Sequence, residues 1–231
     1  MTNRVTGRPA AGGGRWVSTS PERLQRWLDG FAARHGPVQR SLLGTAGQPV
    51  GNDEPAVHGV RLVAQDGAIA EIDVPFAPLV GGLVEHVLRD RRVGVLLVRL
   101  GGCACGVFDG PLLVASKITT RQVHGRSAAG GQSQQRFARR RDGQVRVALQ
   151  ASADTAARVL LPAVATLEAV VVGGERTAVD AVLSDGRLAP LRPLVTGRLL
   201  DGPDPRQAVL EASFEQFRAI WIRLQDPGTA V

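Results

Sequence analysis

The sequence predicts an α/β fold in which helices cover a mixed β-sheet. One observation is a run of three short, β-rich segments between residues 93 and 123, separated only by glycine-containing turns. Such a run is typical of an antiparallel meander. The other observation is that segments with helical periodicity alternate with β-rich segments after the meander, an order that places helices over a sheet.

The first ninety residues predict a helix followed by a β-hairpin. Residues 20–35 begin with Ser-Pro-Glu, the residue types of a helix start, and carry apolar side chains at helical spacing. Residues 41–55 are rich in Gly, Pro, Asn and Asp and predict a loop. The β-rich segments 57–63 and 68–74 flank a Gln-Asp-Gly turn and predict the hairpin. A short helix is expected at 79–89.

The meander and the elements after it account for the rest of the chain. Its three strands are predicted at 93–100, 103–108 and 112–123. The later elements are a helix beginning near Ser133 and ending before Pro162, a strand at 166–172, a helix at 176–183, a strand at 194–199 and a helix at 206–224. In that last helix an apolar stripe is explained by core packing: Leu210, Phe214, Phe217 and Trp221.

The helix that begins near Ser133 is predicted to bury one face and expose the other. At about 100° per residue, one broad sector collects small and apolar side chains: Phe137, Val145, Ala148, Leu149, Ser152, Ala156 and Val159. The opposite sector collects arginines: Arg136, Arg139, Arg140 and Arg146. Because a face rich in arginines suits a polyanion, these four residues together with Arg126 are candidates for binding RNA phosphates.

The distribution of charge supports a nucleic-acid partner. The formal net charge is +7, and the whole excess lies in residues 1–40 and 121–150. Each of these two segments holds seven arginines, whereas 41–120 and 151–231 are slightly acidic. A solvated charged face usually mixes the two signs, so the local excess favours RNA or DNA as partner.

The sequence gives no reason to expect a metal, a cofactor or a membrane. The two cysteines, Cys103 and Cys105, are one residue apart, and no histidine lies at a spacing that would complete a zinc site. They are expected to fill a strand and turn. No apolar run approaches the length of a membrane span and no signal peptide opens the chain, so a cytoplasmic protein is expected.

The most informative motif lies between residues 124 and 139. It consists of His124-Gly125-Arg126, then Gly130-Gly131-Gln132, then Ser-Gln-Gln-Arg-Phe-Ala-Arg. Adjacent glycines let the backbone approach a partner closely. Gln132 offers a donor and an acceptor but does not titrate. An ordinary surface turn before a helix would explain the glycines but not the length of the motif.

This motif resembles the catalytic loop of the eukaryotic and archaeal peptide-chain release factors. Their middle domain carries Gly-Gly-Gln with the same Ser-x-x-Arg-Phe-Ala-Arg continuation, whereas the bacterial stop-codon release factors share only the tripeptide. The present sequence differs by three extra residues, 127–129, before the glycines. The resemblance implies a ribonuclease-H-like mixed sheet covered by helices, here with an N-terminal helix and β-hairpin.

Residues 20–90 show no resemblance to the stop-codon-reading domain of those factors. The chain is therefore similar to the Vms-like release factor group, the peptidyl-tRNA hydrolases of ribosome-associated quality control, as a bacterial member. The similarity implies codon-independent hydrolysis of the peptidyl-tRNA ester on stalled ribosomes or large subunits, with Gly130, Gly131 and Gln132 as catalytic residues and no cofactor. The implied partners are the peptidyl-transferase centre, rRNA and peptidyl-tRNA. His124 is expected to contribute little to the chemistry.

The expected organisation is a disordered tail at 1–15 and a single release-factor-like domain at 16–231. Within it, 16–90 forms the helix and hairpin portion and 91–231 the catalytic α/β portion. Two alternative functions stay open. The first is a non-catalytic module that occupies the tRNA site of stalled ribosomes, and the second is a nuclease that acts on the tRNA end.

Overall fold

The structure, a computed structural model, describes residues 8–10, 13–44, 57–120 and 132–228, and for 132–142 it describes a helix without its side chains. The described residues fall into two compact units. The first unit contains the residues up to Arg89 together with those from Arg218 onward, and the second unit contains residues 90–217. Both contain a β-sheet and helices, so the predicted α/β class is confirmed. The prediction of a single domain over 16–231 stays a prediction.

The elements are numbered in chain order. The described strands are β1 (Arg8–Pro9), β2 (Arg15–Thr19), β3 (Val38–Leu43), β4 (Gly59–Ala64), β5 (Ile69–Asp73), β6 (Arg92–Arg99), β7 (Gly102–Asp109), β8 (Leu112–Thr120), β9 (Ala169–Gly174), β10 (Val195–Leu200) and β11 (Ile220–Gln225). The described α-helices are α1 (Leu24–His35), α2 (Leu83–Leu88), α3 (Gln132–Leu160), α4 (Arg176–Leu183) and α5 (Gln207–Arg218). Shorter 3-10 helices include Pro21–Arg23, Leu161–Thr166 and Gly186–Leu194.

The first unit is built on a sheet of strand order β1-β2-β11-β5-β4-β3. The predicted helix and hairpin are confirmed as α1 and the antiparallel pair β4–β5. The hairpin is only part of a larger sheet, however, because β11 pairs with β2 on one side and with β5 on the other. Phe31 of α1 and the sheet residues Ile72 and Ile222 belong to one buried cluster, each at most 1 % exposed.

Two sequence predictions in the first unit are wrong. Residues 38–43 form strand β3, whereas the predicted loop began at 41, and residues 45–55 of that loop lie outside the described ranges. The helix predicted at 206–224 ends at Arg218, and Ile220–Gln225 forms β11. In both segments partners distant in sequence supply a hydrogen-bonded ladder, and this tertiary pairing outweighs local helix or loop preference.

The N-terminal segment predicted as a disordered tail is described only in part. Residues 1–7, 11 and 12 lie outside the described ranges. Arg8–Pro9 pairs antiparallel with the beginning of β2, so this short stretch is part of the sheet.

The second unit is built on a mixed sheet of strand order β10-β9-β6-β7-β8. β6, β7 and β8 form the predicted antiparallel meander, and β9 and β10 add to it in parallel on the other side of β6. An antiparallel meander extended by parallel strands is the ribonuclease-H-like arrangement predicted from the resemblance. α3 and α4 share a buried cluster with this sheet.

The connection between β9 and α4 depends on a glycine. Gly174 has φ +96°, a region that other residues rarely adopt, and a Cβ atom at this position would overlap the carbonyl oxygen of Val98. The close approach lets α4 begin directly after the strand at Arg176. The sheet and α4 are thereby joined without a longer loop.

Candidate functional site

Strand β8 precedes the predicted catalytic motif in the chain, and helix α3 follows it. β8 ends at Thr120 and α3 begins at Gln132. Gly130, Gly131 and Arg126, like His124, lie outside the described residues. Gln132 is therefore the first residue of a 29-residue helix that directly follows the predicted catalytic glycines. The predicted catalytic role of these residues stays a prediction.

α3 extends a considerable distance between Gln132 and its buried part. The first buried side chain described on this helix is Ala148, which is 7 % exposed, and Ala156 and Leu160 are fully buried. Sixteen residues separate Gln132 from Ala148, which at 1.5 Å per residue corresponds to about 24 Å along the helix axis. The C-terminal half of α3 is thus fixed in the core of the second unit, and its N-terminal end lies far along the axis.

The described part of α3 shows which side of the helix faces solvent. Its exposed residues are Arg146, Val147, Gln150, Asp154 and Arg158. At about 100° per residue these positions share one sector of roughly 120°. Positions 136, 139 and 140 fall within the same sector, although their side chains are not described. Arg146 is exposed, and Ala148, Ser152 and Ala156 are buried on the opposite face of the helix. The predicted division of α3 into an exposed and a buried face is therefore confirmed for these residues.

A hydrogen bond between two hydroxyl groups joins α3 to the strand that leads to the site. The Thr119 and Thr155 hydroxyl oxygens are 2.7 Å apart, and the Thr155 hydroxyl also donates to the Ala151 carbonyl oxygen at 2.9 Å. The Thr119 hydroxyl therefore supplies the proton for the contact between the two threonines. Thr119 is the penultimate residue of β8, so this contact holds the end of the strand against α3. The sequence contains no local pattern that pairs residues 36 positions apart.

A second polar cluster holds α3 on its exposed side. The Arg187 Nη2 group donates to Asp154 Oδ1 at 2.7 Å and to Asp185 Oδ2 at 2.8 Å. Gln150 Nε2 donates to the same two carboxylates at 3.3 and 3.5 Å. Asp185 also accepts a hydrogen bond from the Arg187 backbone N–H at 3.0 Å and so caps the 3-10 helix Gly186–Leu194. One arginine therefore connects α3 with the turn after α4.

These contacts determine the protonation of the two carboxylates. The hydrogen bond from the Arg187 side chain lowers the pKa of Asp185 well below its ordinary range, and the Arg187 backbone N–H lowers it further. The same side chain, followed by Gln150, lowers the pKa of Asp154. Both carboxyl groups are charged at neutral pH, and their negative charge is directed at one guanidinium. Their role is to fix α3.

The two cysteines lie in the core of the second unit. Cys103 and Cys105 are buried on β7 with sulfur atoms 3.9 Å apart. The hydrogen bond to Cys103, together with burial, raises the pKa of the Cys105 thiol, which stays protonated. In the described ranges no cluster of three or more His, Cys, Asp or Glu side chains could hold a metal ion. None of the helices there combines the length and apolar content that a membrane span requires.

Comparisons with known proteins identify one matching family. The model of the Actinobacteria/chloroflexi VLRF1 release factor family matches residues 91–223, which is more than half of the chain. A comparison with curated proteins found no match.

Two solved structures are similar at low identity. A crystal structure of the archaeal translation termination factor aRF1 has 13% identity and a TM-score of 0.42, covering 87% of this chain and 73% of that one. A structure described as an archaeal protein has 16% identity and a TM-score of 0.39, covering 65% of this chain and 48% of that one.

Proposed function

Because the chain belongs to the Actinobacteria/chloroflexi VLRF1 release factor family, we propose that it hydrolyses the ester bond of peptidyl-tRNA on stalled ribosomes or large subunits without reading a stop codon. A function of the release-factor type follows from family membership, and hydrolysis is the chemistry by which a nascent peptide is released. The observation that carries the proposal is that the matched residues, 91–223, include Gly130-Gly131-Gln132 and the whole of α3.

In this proposal the tripeptide acts at the ester carbonyl. Hydrolysis requires a water positioned for attack and a donor where negative charge develops on the tetrahedral oxygen. A backbone N–H next to Gly130 and Gly131 supplies that donor, and the Gln132 side chain positions the water. A neutral amide suits this task because a carboxylate would be costly to desolvate inside the peptidyl-transferase centre.

α3 supports this role by its length and by its attachment. Its C-terminal half is held by the buried residues from Ala148 onward, by the Thr119–Thr155 contact and by Arg187. A rigid helix carries a catalytic group with less positional freedom than a loop does. The axial distance of about 24 Å between Gln132 and Ala148 lets Gln132 enter a narrow RNA cavity while the folded unit stays outside it.

The proposed RNA contacts follow the exposed side of the same helix. Arg146 is exposed, and positions 136, 139 and 140 share its sector of α3. Arginines at these positions, together with Arg126 before the glycines, contact rRNA or tRNA phosphates and orient the helix. The partners are the large subunit with its peptidyl-transferase centre and peptidyl-tRNA, and the ribosomal RNA supplies the rest of the cavity. No cofactor takes part in this mechanism.

The decisive experiment measures single-turnover release of a labelled peptide from ribosome-bound peptidyl-tRNA that lacks a stop codon. Gln132→Ala is expected to slow release by about two to three orders of magnitude, the usual cost of losing one preorganised group at a developing oxyanion. Gln132→Glu should be no better, because it replaces the amide donors with a charge. Gln135→Ala is the matched control, since it makes the same chemical change three residues later on α3.

Two further measurements separate the alternatives. Co-sedimentation with ribosomes should be unchanged in Gln132→Ala. Release by wild type and Gln132→Ala alike at no more than the rate of ribosomes without the protein would replace the hydrolase with a non-catalytic binding module. The released tRNA should keep an intact 3′ end. A shortened 3′ end would show that the chain cleaves RNA rather than the ester.

A further inference from the structure

The first unit carries a row of arginines on one flank of α1. Arg26 and Arg34 lie on the helix, and Arg23 immediately precedes it. At about 100° per residue these three positions and Gly30 fall within a sector of roughly 80°. The buried residues Leu24 and Phe31 lie in a different sector. We name Arg23, Arg26, Gly30 and Arg34 the arginine flank.

The arginines of this flank are exposed and lack acidic partners among the described residues. Arg23, Arg26 and Arg34 are all exposed. The two nearest carboxylates along the chain are engaged by other groups. Glu22 accepts from Arg218 at 2.8 Å, and Asp29, outside the sector, accepts from the Gln25 side chain at 2.8 Å. Three guanidinium groups on one side of the helix therefore keep their donors for another partner.

Gly30 lies between Arg26 and Arg34 at intervals of four residues and has no structural reason to be a glycine. Its φ is not in the positive range, and among the described residues the one atom that an added Cβ would meet within 4 Å is the flexible end of the Arg34 side chain, at 3.2 Å. Glycine destabilises a helix interior relative to almost every other residue. Its use here leaves the helix backbone between the two arginines covered only by the movable end of the Arg34 side chain. A polymer backbone that binds the Arg34 guanidinium can therefore approach the helix closely at this point.

We propose that the arginine flank binds the ribose-phosphate backbone of RNA. The flank extends over eleven residue steps, which is about 16 Å along the helix axis and enough to contact several phosphates. Guanidinium groups bind phosphate oxygens through paired donors. When Arg34 turns outward to a phosphate, the missing side chain at Gly30 admits the sugar-phosphate chain. The inference rests on the proposed function only in naming RNA as the polymer. It adds a second RNA-binding surface, on a different unit from Gln132.

The test uses the full chain and a labelled RNA hairpin that carries no peptidyl ester, with affinity measured by fluorescence anisotropy at several salt concentrations. Arg26→Gln/Arg34→Gln should reduce the slope of log affinity against log salt by about 1.5, as expected for two lost phosphate contacts. Arg176→Gln/Arg206→Gln is the matched control, because it removes the same charge from two exposed arginines of the second unit. Its slope should stay that of the wild type. An equal loss in both pairs would overturn the proposal, since net charge alone would then explain binding.

Gly30→Gln tests the close approach of the RNA backbone. This change should raise the thermal unfolding midpoint, because glutamine favours the helix. It should also weaken RNA binding severalfold while the salt slope is kept, because the arginines remain. Wild-type affinity in a more stable Gly30→Gln protein would overturn the proposed close approach of the RNA backbone at Gly30.

Two controls identify the ligand and separate this inference from the hydrolase proposal. Polyglutamate should bind far more weakly than the RNA hairpin. Equal binding of both through the arginine flank would show a surface for any polyanion and would overturn the assignment to RNA. The hairpin assay contains no ester. A chain that binds it through Arg26 and Arg34 but releases no peptide refutes the hydrolase and leaves this inference intact.

Discussion

The central position of β11 can be tested with one buried side chain. Ile222 has no exposed surface and lies between Val17 of β2 and Ile72 of β5. Ile222→Ala removes three carbon atoms, a transfer term of about 2.4 kcal/mol at 0.8 kcal/mol per methylene. The cavity left in a packed sheet raises the expected loss to about 3–4 kcal/mol. Ile222→Val should cost about 1 kcal/mol.

The sequence provides a specific probe for this experiment. The chain has three tryptophans, and Trp16, Trp27 and Trp221 all lie in the first unit. Urea unfolding followed by tryptophan fluorescence therefore reports on the first unit alone. Leu88→Ala is the control, because it also removes three carbons but from a first-unit side chain that is 44% exposed. It should cost less than about 1 kcal/mol.

The comparison of Ile222→Ala with Leu88→Ala tests whether Ile222 is buried in the sheet. If Ile222→Ala and Leu88→Ala lowered the unfolding free energy equally, Ile222 would not be packed between two strands. The helix predicted at 206–224 would then regain support. A larger loss of unfolding free energy in Ile222→Ala would instead show that residues after the second unit complete the fold of the first unit.

Two further predictions concern the second unit. Gly174→Ala should lower its unfolding free energy by about 2–4 kcal/mol, because φ is +96° and the added Cβ overlaps the Val98 carbonyl. Circular dichroism should show this loss, and an unchanged unfolding curve would contradict it. Arg187→Gln should lower the thermal midpoint most near pH 7 and progressively less as the pH falls below about 4. The lowered pKa values of Asp154 and Asp185 stabilise the fold above the unfolded carboxyl pKa of about 4 and lose that effect as pH falls through the folded values. A midpoint difference as large at pH 2 as at pH 7 would show that these carboxylates are not the source of the stability.

Local patterns were sufficient for several parts of the fold. The meander was predictable because Gly101-Gly102 and Asp109-Gly110 allow only short turns between apolar strands. The buried face of α3 was predictable because its apolar and small residues recur at helical spacing through Gly143. The motif from His124 to Arg139 indicated the release-factor resemblance from the sequence alone. All of these features depend on residues close to one another along the chain.

The tertiary structure alone decided the features that depend on distant partners. Ile-Trp-Ile-Arg-Leu in β11 is too short and apolar to be distinguished from a helix end by its period. It becomes a strand because residues 15–19 and 69–73 supply ladders on both of its sides. Likewise, the sequence could not show that Arg187 would meet Asp154, 33 residues earlier. The sequence by itself determined the meander, the buried face of α3 and the Gly130-Gly131-Gln132 motif. Non-local hydrogen bonds and ion pairs decided how those elements combine, because no local pattern encodes which distant segments will meet.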